Sequence, residues 1–486
     1  MPFTEFYCRA GGNNLNVGTV DGTTEPSTSP LVTFTGGDSA SNAASYTAPV
    51  GADLSQVQIG RWLSLYQDGD TVPVSGRFVV APITNVDTNT RVITLNTSYR
   101  STLGSVIGSG TGNRSARIGG AWAGPGGATG FPFGFVGTFG FDQTKGIARV
   151  NLKNDQTYTI TANMNTNNSG PMVFQGYSST PGDGGMATID GGTTGSSFIL
   201  LSITAAGVYL VDLIFQNNGN SGSSELVSLS SATYPIMCVR CVFRNSRGHG
   251  VYASSPAVFQ SCTAYNCNQS NSSTRGGFYG ASYVKYRHCV SFNSTGSNTN
   301  GFLHDSYYCY FDDCLSFGNG NHGFNVSSSY GAYINGCVST GNSGSGCYFR
   351  DDSGRALMMT NSVMFGNGRY GLENVASSAG ATTTFGVALG SNSLGDTYRL
   401  NSAAMTGSVL LTESPFVDAL GGNFSLNNAT SGGALCRGTG YGFLLQPHPS
   451  YSGTVSKPDI GFQHADLSPA EVAAAVWAYA NRTLTG

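Results

Sequence analysis

Short apolar strips broken by glycine, asparagine and serine recur along the middle of this chain at a nearly constant interval. Cys241, Cys262, Cys289, Cys314 and Cys337 head the segments CVFRN, CTAYN, CVSFN, CLSFGN and CVSTGN, and Ser362 heads a sixth, SVMFGN. Successive spacings are 21, 27, 25, 23 and 25 residues. Each segment closes on an asparagine: Asn245, Asn266, Asn293, Asn319, Asn342 and Asn367. A glycine followed by an apolar residue comes a few positions later, as in Gly277-Phe278 and Gly323-Phe324. A period of this length marks one supersecondary unit stacked on its copies. Leucine-rich repeats have a similar period but need several leucines per turn. These coils carry β-formers between turn residues instead, which predicts an all-β chain built as a right-handed parallel β-helix.

The same register predicts which side chains face inward. Three residues before each head position lie Cys238, Phe259, Tyr286, Phe311, Ile334 and Met359; five before lie Ile236, Ala257, Val284, Cys309, Ala332 and Leu357. Both sets are apolar with period two and should fill the core, so the positions between them point out. Stacked coils place equivalent side chains about 4.8 Å apart. Asparagine tolerates the left-handed backbone region, and its amide can bond to its copy one coil away, so the six asparagines are expected to form one ladder. The cysteines of a stacked row point the same way rather than converge, so they are expected to be free, buried thiols.

Around this repeat the pattern divides the chain. Alternating segments such as GRFVVAPITNV predict a β-rich attachment domain over residues 1–118, followed by a glycine-rich junction over 119–144. The β-helix is expected over 145–395 and a closing β region over 396–466, shielding the end of the solenoid. Ser468-Pro469-Ala470-Glu471 is a capping box with proline at the first helical position. It predicts a short helix in 467–486 with Val472, Val476 and Trp477 near one face, a packing or assembly element.

Composition narrows the function classes. Only 10% of residues are charged, but 39% are hydrophobic and 11% aromatic, with 69 glycines, which fits a folded, turn-rich protein rather than a disordered one. A net charge of −3 with no basic run gives no footprint for nucleic acid. Neither a Sec-type signal peptide nor an apolar stretch of about 18 residues is visible, so membrane insertion is not expected.

The coils resemble those of right-handed parallel β-helix proteins, the group that holds pectate lyases, rhamnogalacturonase-like hydrolases and phage tailspikes; CLSFGNGNHGFNV is similar to the coils of some pectate lyases. SPFVDALGGNFSL followed by KPDIGFQ resembles the closing segment of bacterial surface β-helix proteins, with Phe462 in place of the usual alanine. AAAVWAYANRTLTG is similar to the tails of many phage virion proteins. The resemblance implies a tailspike- or fibre-like protein of a virion or cell surface, and a homo-oligomer or larger assembly.

Two readings of chemistry follow. In the ladder register Lys285 stacks on Tyr310 and then Tyr333, Arg287 on Asp312, and His288 on Asp313, with His304 and Asp305 further along the same coil. By resemblance to pectate lyases, Lys285 or Arg287 would be the base, and Asp312, Asp313 and Asp305 would hold Ca²⁺. A hydrolase would instead use two carboxylates, with Asp312 and Asp351 as candidates. Adjacent-coil Arg–Asp and His–Asp pairs are also what a solvated ladder ordinarily carries, each contributing under about 1 kcal/mol. That ordinary reading takes precedence and makes the chain a structural or adhesive protein needing no cofactor, with the polysaccharide enzyme as the alternative. In the adhesive reading, Tyr310 and Tyr333, with a second outward row of Tyr252, Tyr279 and Tyr348, would bind a polysaccharide.

Overall fold

A computed structural model of the chain describes residues 3–10, 12, 32–39, 45–55, 57–70, 78–96, 101–102, 114–118, 147–166, 172–204, 207–230, 235–271, 275–294, 296–350, 356–376, 382–400, 405–419 and 421–437. The expected C-terminal helix with Val472, Val476 and Trp477 lies outside the described residues, as does Asp351. Two compact units are present: 1–194 with 198–219 and 227–237, and 195–197 with 220–226 and 238–486.

In the first unit, strand Phe3–Cys8 pairs in parallel with Ile147–Lys153, which pairs with Met172–Tyr177, which pairs with Val208–Val211. The pairing is closed by side chains as well as backbone: Arg149 Nε donates to Glu5 Oε2 (2.8 Å) and Asn151 Nδ2 to the same oxygen (2.7 Å). Phe3–Cys8 is thus a rung of the parallel stack, although it falls in the segment expected to be a separate β domain. Between the two partners lies a closed antiparallel barrel. Its ring runs Trp62–Gln67, Arg114–Ile118, Val32–Ser39, Ser45–Thr47, Val92–Leu95, Phe78–Asp87 and back to Trp62–Gln67. Closure removes free strand edges, and the interior is filled by Phe34, Tyr46, Leu63, Leu65, Ile83, Ile93 and Ile118.

The second unit contains the repeat. One coil consists of Cys309–Asp312 on a first sheet, Leu315–Phe317 on a second and Phe324–Ser329 on a third. Neighbouring coils stack in parallel register on each, for example Cys309↔Ala332, Leu315↔Val338 and Phe324↔Cys347. The rungs continue past residue 395 as the two-residue strands Met405–Thr406 and Val409–Leu410. Both inward sets expected from the sequence are buried, and Phe259, Tyr286 and Phe311 stack along the interior at 5.4 and 4.8 Å. All eleven cysteines are free and buried. Burial drives the thiols of Cys241's ladder neighbours Cys262, Cys289 and Cys314 well above the usual range, so the row is a neutral packing element.

The single six-membered asparagine ladder does not form. Asn245, Asn266 and Asn293 hold the left-handed turn (φ 58°, 52° and 50°), and Asn266 Nδ2 donates to Asn245 Oδ1 at 2.8 Å. In the next coils an added glycine takes that turn, Gly318, Gly341 and Gly366. Asn319, Asn342 and Asn367 are thereby displaced one position, into the interior. There they form a separate buried ladder that continues to Asn392, with Nδ2 donating to the next Oδ1 at 2.9, 3.1 and 3.1 Å. Ser316 and Ser339 join it from the second sheet.

Because Ser291, Ser316 and Ser339 face inward, strand alternation turns Val290, Phe292, Leu315, Phe317, Val338 and Val363 outward. They are nevertheless buried or half-buried, because the hairpin Phe416–Asp418/Asn423–Leu426 and the short helix Gly433–Cys436 lie against them. The closing region therefore covers the flank of the second sheet. Phe424 is its main contact, with its ring 4.9 Å from Phe317 and 5.5 Å from Phe416. Phe424→Ala is expected to lower unfolding free energy by about 3 kcal/mol and to raise binding of a hydrophobic dye; unchanged values in both would contradict this packing.

Candidate functional site

The outward face of the first sheet carries two parallel rows. In one, Lys285, Tyr310 and Tyr333 occupy successive coils as the repeat predicts. Lys285 Nζ lies 5.5 Å from the centroid of the Tyr310 ring, and Tyr310 and Tyr333 are 6.2 Å apart. In the other, Arg287 Nε is 3.7 Å from Asp312 Oδ2, Asn335 Nδ2 donates to Asp312 Oδ1 (2.9 Å), and Thr360 Oγ1 donates to Asn335 Oδ1 (2.8 Å). Asp312 is engaged from both sides by a ladder of neighbouring coils.

The remaining members of the expected cluster diverge. His288 and Asp313 occupy the left-handed turn after the first sheet (φ 50° and 48°) and pair at 3.6 Å. His304 points inward: a Cβ on Gly280 would lie 2.5 Å from its Nδ1, its Nε2 is 2.9 Å from the Tyr307 carbonyl, and burial lowers its pKa to about 4. Asp305 projects from the third sheet and accepts the Tyr279 hydroxyl at 2.7 Å. Asp312, Asp313 and Asp305 thus face three different ways, and among the described residues no group of three or more His, Cys, Asp or Glu could hold a metal ion. The arrangement of base and calcium ligands implied by the pectate lyase resemblance is not assembled by these residues.

The second tyrosine row is broken. Tyr252 and Tyr279 are adjacent, with centroids 4.8 Å apart, but Tyr279 is followed by Leu303 and Asn325 before Tyr348 is reached. Each part is half-buried under a histidine: His249 stacks on Tyr279 (4.6 Å, 16°) and His322 on Tyr348 (4.1 Å, 16°).

A different aromatic feature stands out. Tyr283, Tyr307, Tyr308 and Tyr330 come just before the first-sheet strands of three successive coils and, with Tyr310, are 50, 46, 47, 51 and 42% exposed. Tyr283 and Tyr307 stack at 5.3 Å and 20°, Tyr307 and Tyr330 at 5.9 Å and 26°. The backbone makes room for this strip, since a Cβ on Gly331 would lie 2.7 Å from the Tyr308 ring. Rings this close and this nearly parallel cannot lie side by side in one plane, so their faces meet along the stack and their edges and hydroxyls meet solvent. The repeat did signal them, because tyrosine recurs six or seven residues before Cys289, Cys314 and Cys337; these positions precede the strand, where facing cannot be counted.

Residues 225–386 match a family model described as a right-handed β-helix region, and the fold is the right-handed parallel β-helix that the coil pattern predicts. Among curated proteins none matches the sequence. Similar solved structures include a pectate lyase (18% identity, 65% of this chain and 88% of that one, TM-score 0.43). The A-module of a mannuronan C-5 epimerase from Azotobacter vinelandii is similar over 51% of this chain and 70% of that one (12% identity, TM-score 0.33). A tailspike protein from Pseudomonas phage LKA1 is similar over 84% of this chain and 71% of that one (11% identity, TM-score 0.26).

Proposed function

We propose that this protein is an adhesive β-helix that holds a polysaccharide chain along the tyrosine strip, as a component of a virion or cell surface. The observation that carries the reading is the strip itself: Tyr283, Tyr307, Tyr308, Tyr310 and Tyr330 leave large aromatic area in water on adjoining coils. Contiguous exposed aromatic surface of this kind marks binding sites. Its chemistry suits a sugar chain. The stacked rings recur at 5.3 and 5.9 Å along the strip, about the length of one sugar ring, so their hydroxyls can donate to or accept from successive hydroxyl groups. The amine of Lys285 adds charged donors at one end. Engagement of Asp312 by Arg287 and Asn335 leaves it a structural role in this reading.

Calorimetric titration of the full chain against a panel of neutral and acidic polysaccharides tests the proposal. Tyr307→Ala with Tyr330→Ala should weaken binding roughly tenfold, since each ring contributes about 0.5–1.5 kcal/mol, with Tm nearly unchanged because both rings are about half in water. Equal binding by the double variant, or no binding by the parent chain to any member of the panel, rejects it.

A further inference from the structure

The third sheet carries a similar histidine arrangement twice, and the two copies differ in where the arginine beside the ring stands and in what neutralises it. In both, the imidazole Nδ1 accepts a backbone N–H from the next coil: His322 from Ser345 at 2.9 Å, His249 from Gly276 at 3.1 Å. Both rings stack on the tyrosine of that next coil, and both have an arginine nearby, Arg275 on the coil of Tyr279 itself and Arg369 one coil beyond Tyr348. In the His322 copy the arginine is neutralised from within, because Arg369 Nη2 donates to Glu373 Oε1 at 2.7 Å, and Glu373 follows Tyr348 in the register. In the His249 copy the residue that follows Tyr279 in the register is Leu303, which brings no carboxylate.

The consequence at His249 is a meeting of donors. Burial first, and then the charge of Arg275, lower its pKa to about 3, so the ring is neutral near pH 7 and carries a single proton. With Nδ1 used as an acceptor, that proton sits on Nε2. Nε2 lies 3.0 Å from Arg275 Nη1, which can only donate. A neighbouring guanidinium nitrogen, Arg275 Nε, is buried and has no hydrogen-bond partner among the described residues. Two converging N–H groups and a cation short of an acceptor are costly unless a negative oxygen completes them. Asp305, an acidic side chain on this face, accepts the Tyr279 hydroxyl at Oδ1 and makes no ion pair with Arg275 among the described residues.

We infer that Arg275 and His249 form a binding site for a small oxyanion, a carboxylate that neutralises Arg275 as Glu373 neutralises Arg369. Arg275 supplies the charge, and His249, only 2% exposed, supplies a fixed N–H held by its bond to Gly276 and its stack on Tyr279. The site lies on the third sheet and does not depend on the tyrosine strip.

The test is nitrogen NMR of the full chain labelled at histidine, near pH 7, with His249 assigned by a His249→Gln variant. Expected are an Nε2-protonated His249 and a saturable shift of that nitrogen on adding glucuronate, weakened about tenfold or more in Arg275→Gln and partly restored in Arg275→Lys. Saturation with glucuronate and not with inorganic phosphate supports a carboxylate-bearing saccharide as the source; saturation with both supports a general small-oxyanion site. An Nδ1-protonated His249, or no saturable shift with either probe, overturns the inference. The parent-chain titration decides by itself if the Arg275 variants fail to fold.

Discussion

Gly323→Ala is expected to destabilise the second unit by about 3 kcal/mol, read as a fall in the denaturation midpoint with the slope unchanged. The added Cβ would lie 2.0 Å from Ser339 Oγ, 2.8 Å from the Gly346 carbonyl oxygen and 2.9 Å from Asn342 Nδ2. A hydroxyl can rotate away, but the carbonyl is backbone. Asn342 Nδ2 is held by Ser339 Oγ at 2.9 Å and Asn367 Oδ1 at 3.1 Å. Relief therefore means breaking a buried ladder bond whose partners have no water to turn to. Ser339→Ala in the same background should recover part of the loss by removing the nearest clash. A Gly323→Ala protein within 1 kcal/mol of the parent would show that the interior is looser than these contacts require.

Acidification should destabilise the protein well before its carboxylates titrate. His249, His304 and His322 are buried, and desolvation is the leading cause lowering their pKa values to about 3, 4 and 3. A histidine whose folded pKa lies below its unfolded value of about 6.5 binds more protons unfolded than folded. Its contribution to stability is then complete above pH 6.5 and is lost as pH falls toward the folded pKa. At pH 5 each group forfeits up to about 2 kcal/mol, so the three together set a ceiling of roughly 6 kcal/mol. Asp183, whose pKa is lowered chiefly by the backbone N–H groups of Ser179, Thr180 and Ser178, acts in the opposite range and matters only below its ordinary value of 3.8. Comparing Tm at pH 7.5 and pH 5 isolates the histidine window. His322→Asn, which keeps an acceptor for the Ser345 N–H, should remove about a third of the difference. Equal Tm at the two pH values would mean that these imidazoles are charged in the folded state.

The cysteine spacing was enough to place Lys285 over Tyr310 and Arg287 beside Asp312, because a strand of constant length between the turn and the head residue fixes the register. It failed wherever one residue changed the phase. The glycine inserted at Gly318 moves Asn319 from the turn to the interior while leaving the motif looking alike. His304 turns inward by the same alternation that buries Phe302 two residues before it, which separates it from the outward Lys285, Arg287 and Asp312 with which it was grouped. The tyrosine strip sits in turns, where side-chain direction follows from the stacked neighbours rather than from period two. The hairpin that covers Phe292 and Phe317 lies over a flank whose outward residues look, in sequence, like any other core position. The role of His249 and Arg275 became visible only beside Arg369 and Glu373, because what sets Arg275 apart is the carboxylate it lacks and Arg369 has.

The pairing of Phe3–Cys8 with Ile147–Lys153 has a consequence in time. Glu5 and Arg149 are 144 residues apart, and ribosomes add about 5–20 residues per second. Strand Phe3–Cys8 therefore waits roughly 7 to 30 seconds after its own synthesis before its partner exists. During that interval the chain between them can fold into the barrel, whose strands pair among themselves. A folded barrel shortens the loop to be closed, and with it the entropy of closure. Loosening the barrel core, for example at Leu63 or Ile93, should then slow the docking of a strand that neither residue belongs to, making the insert a timer for the completion of the stack.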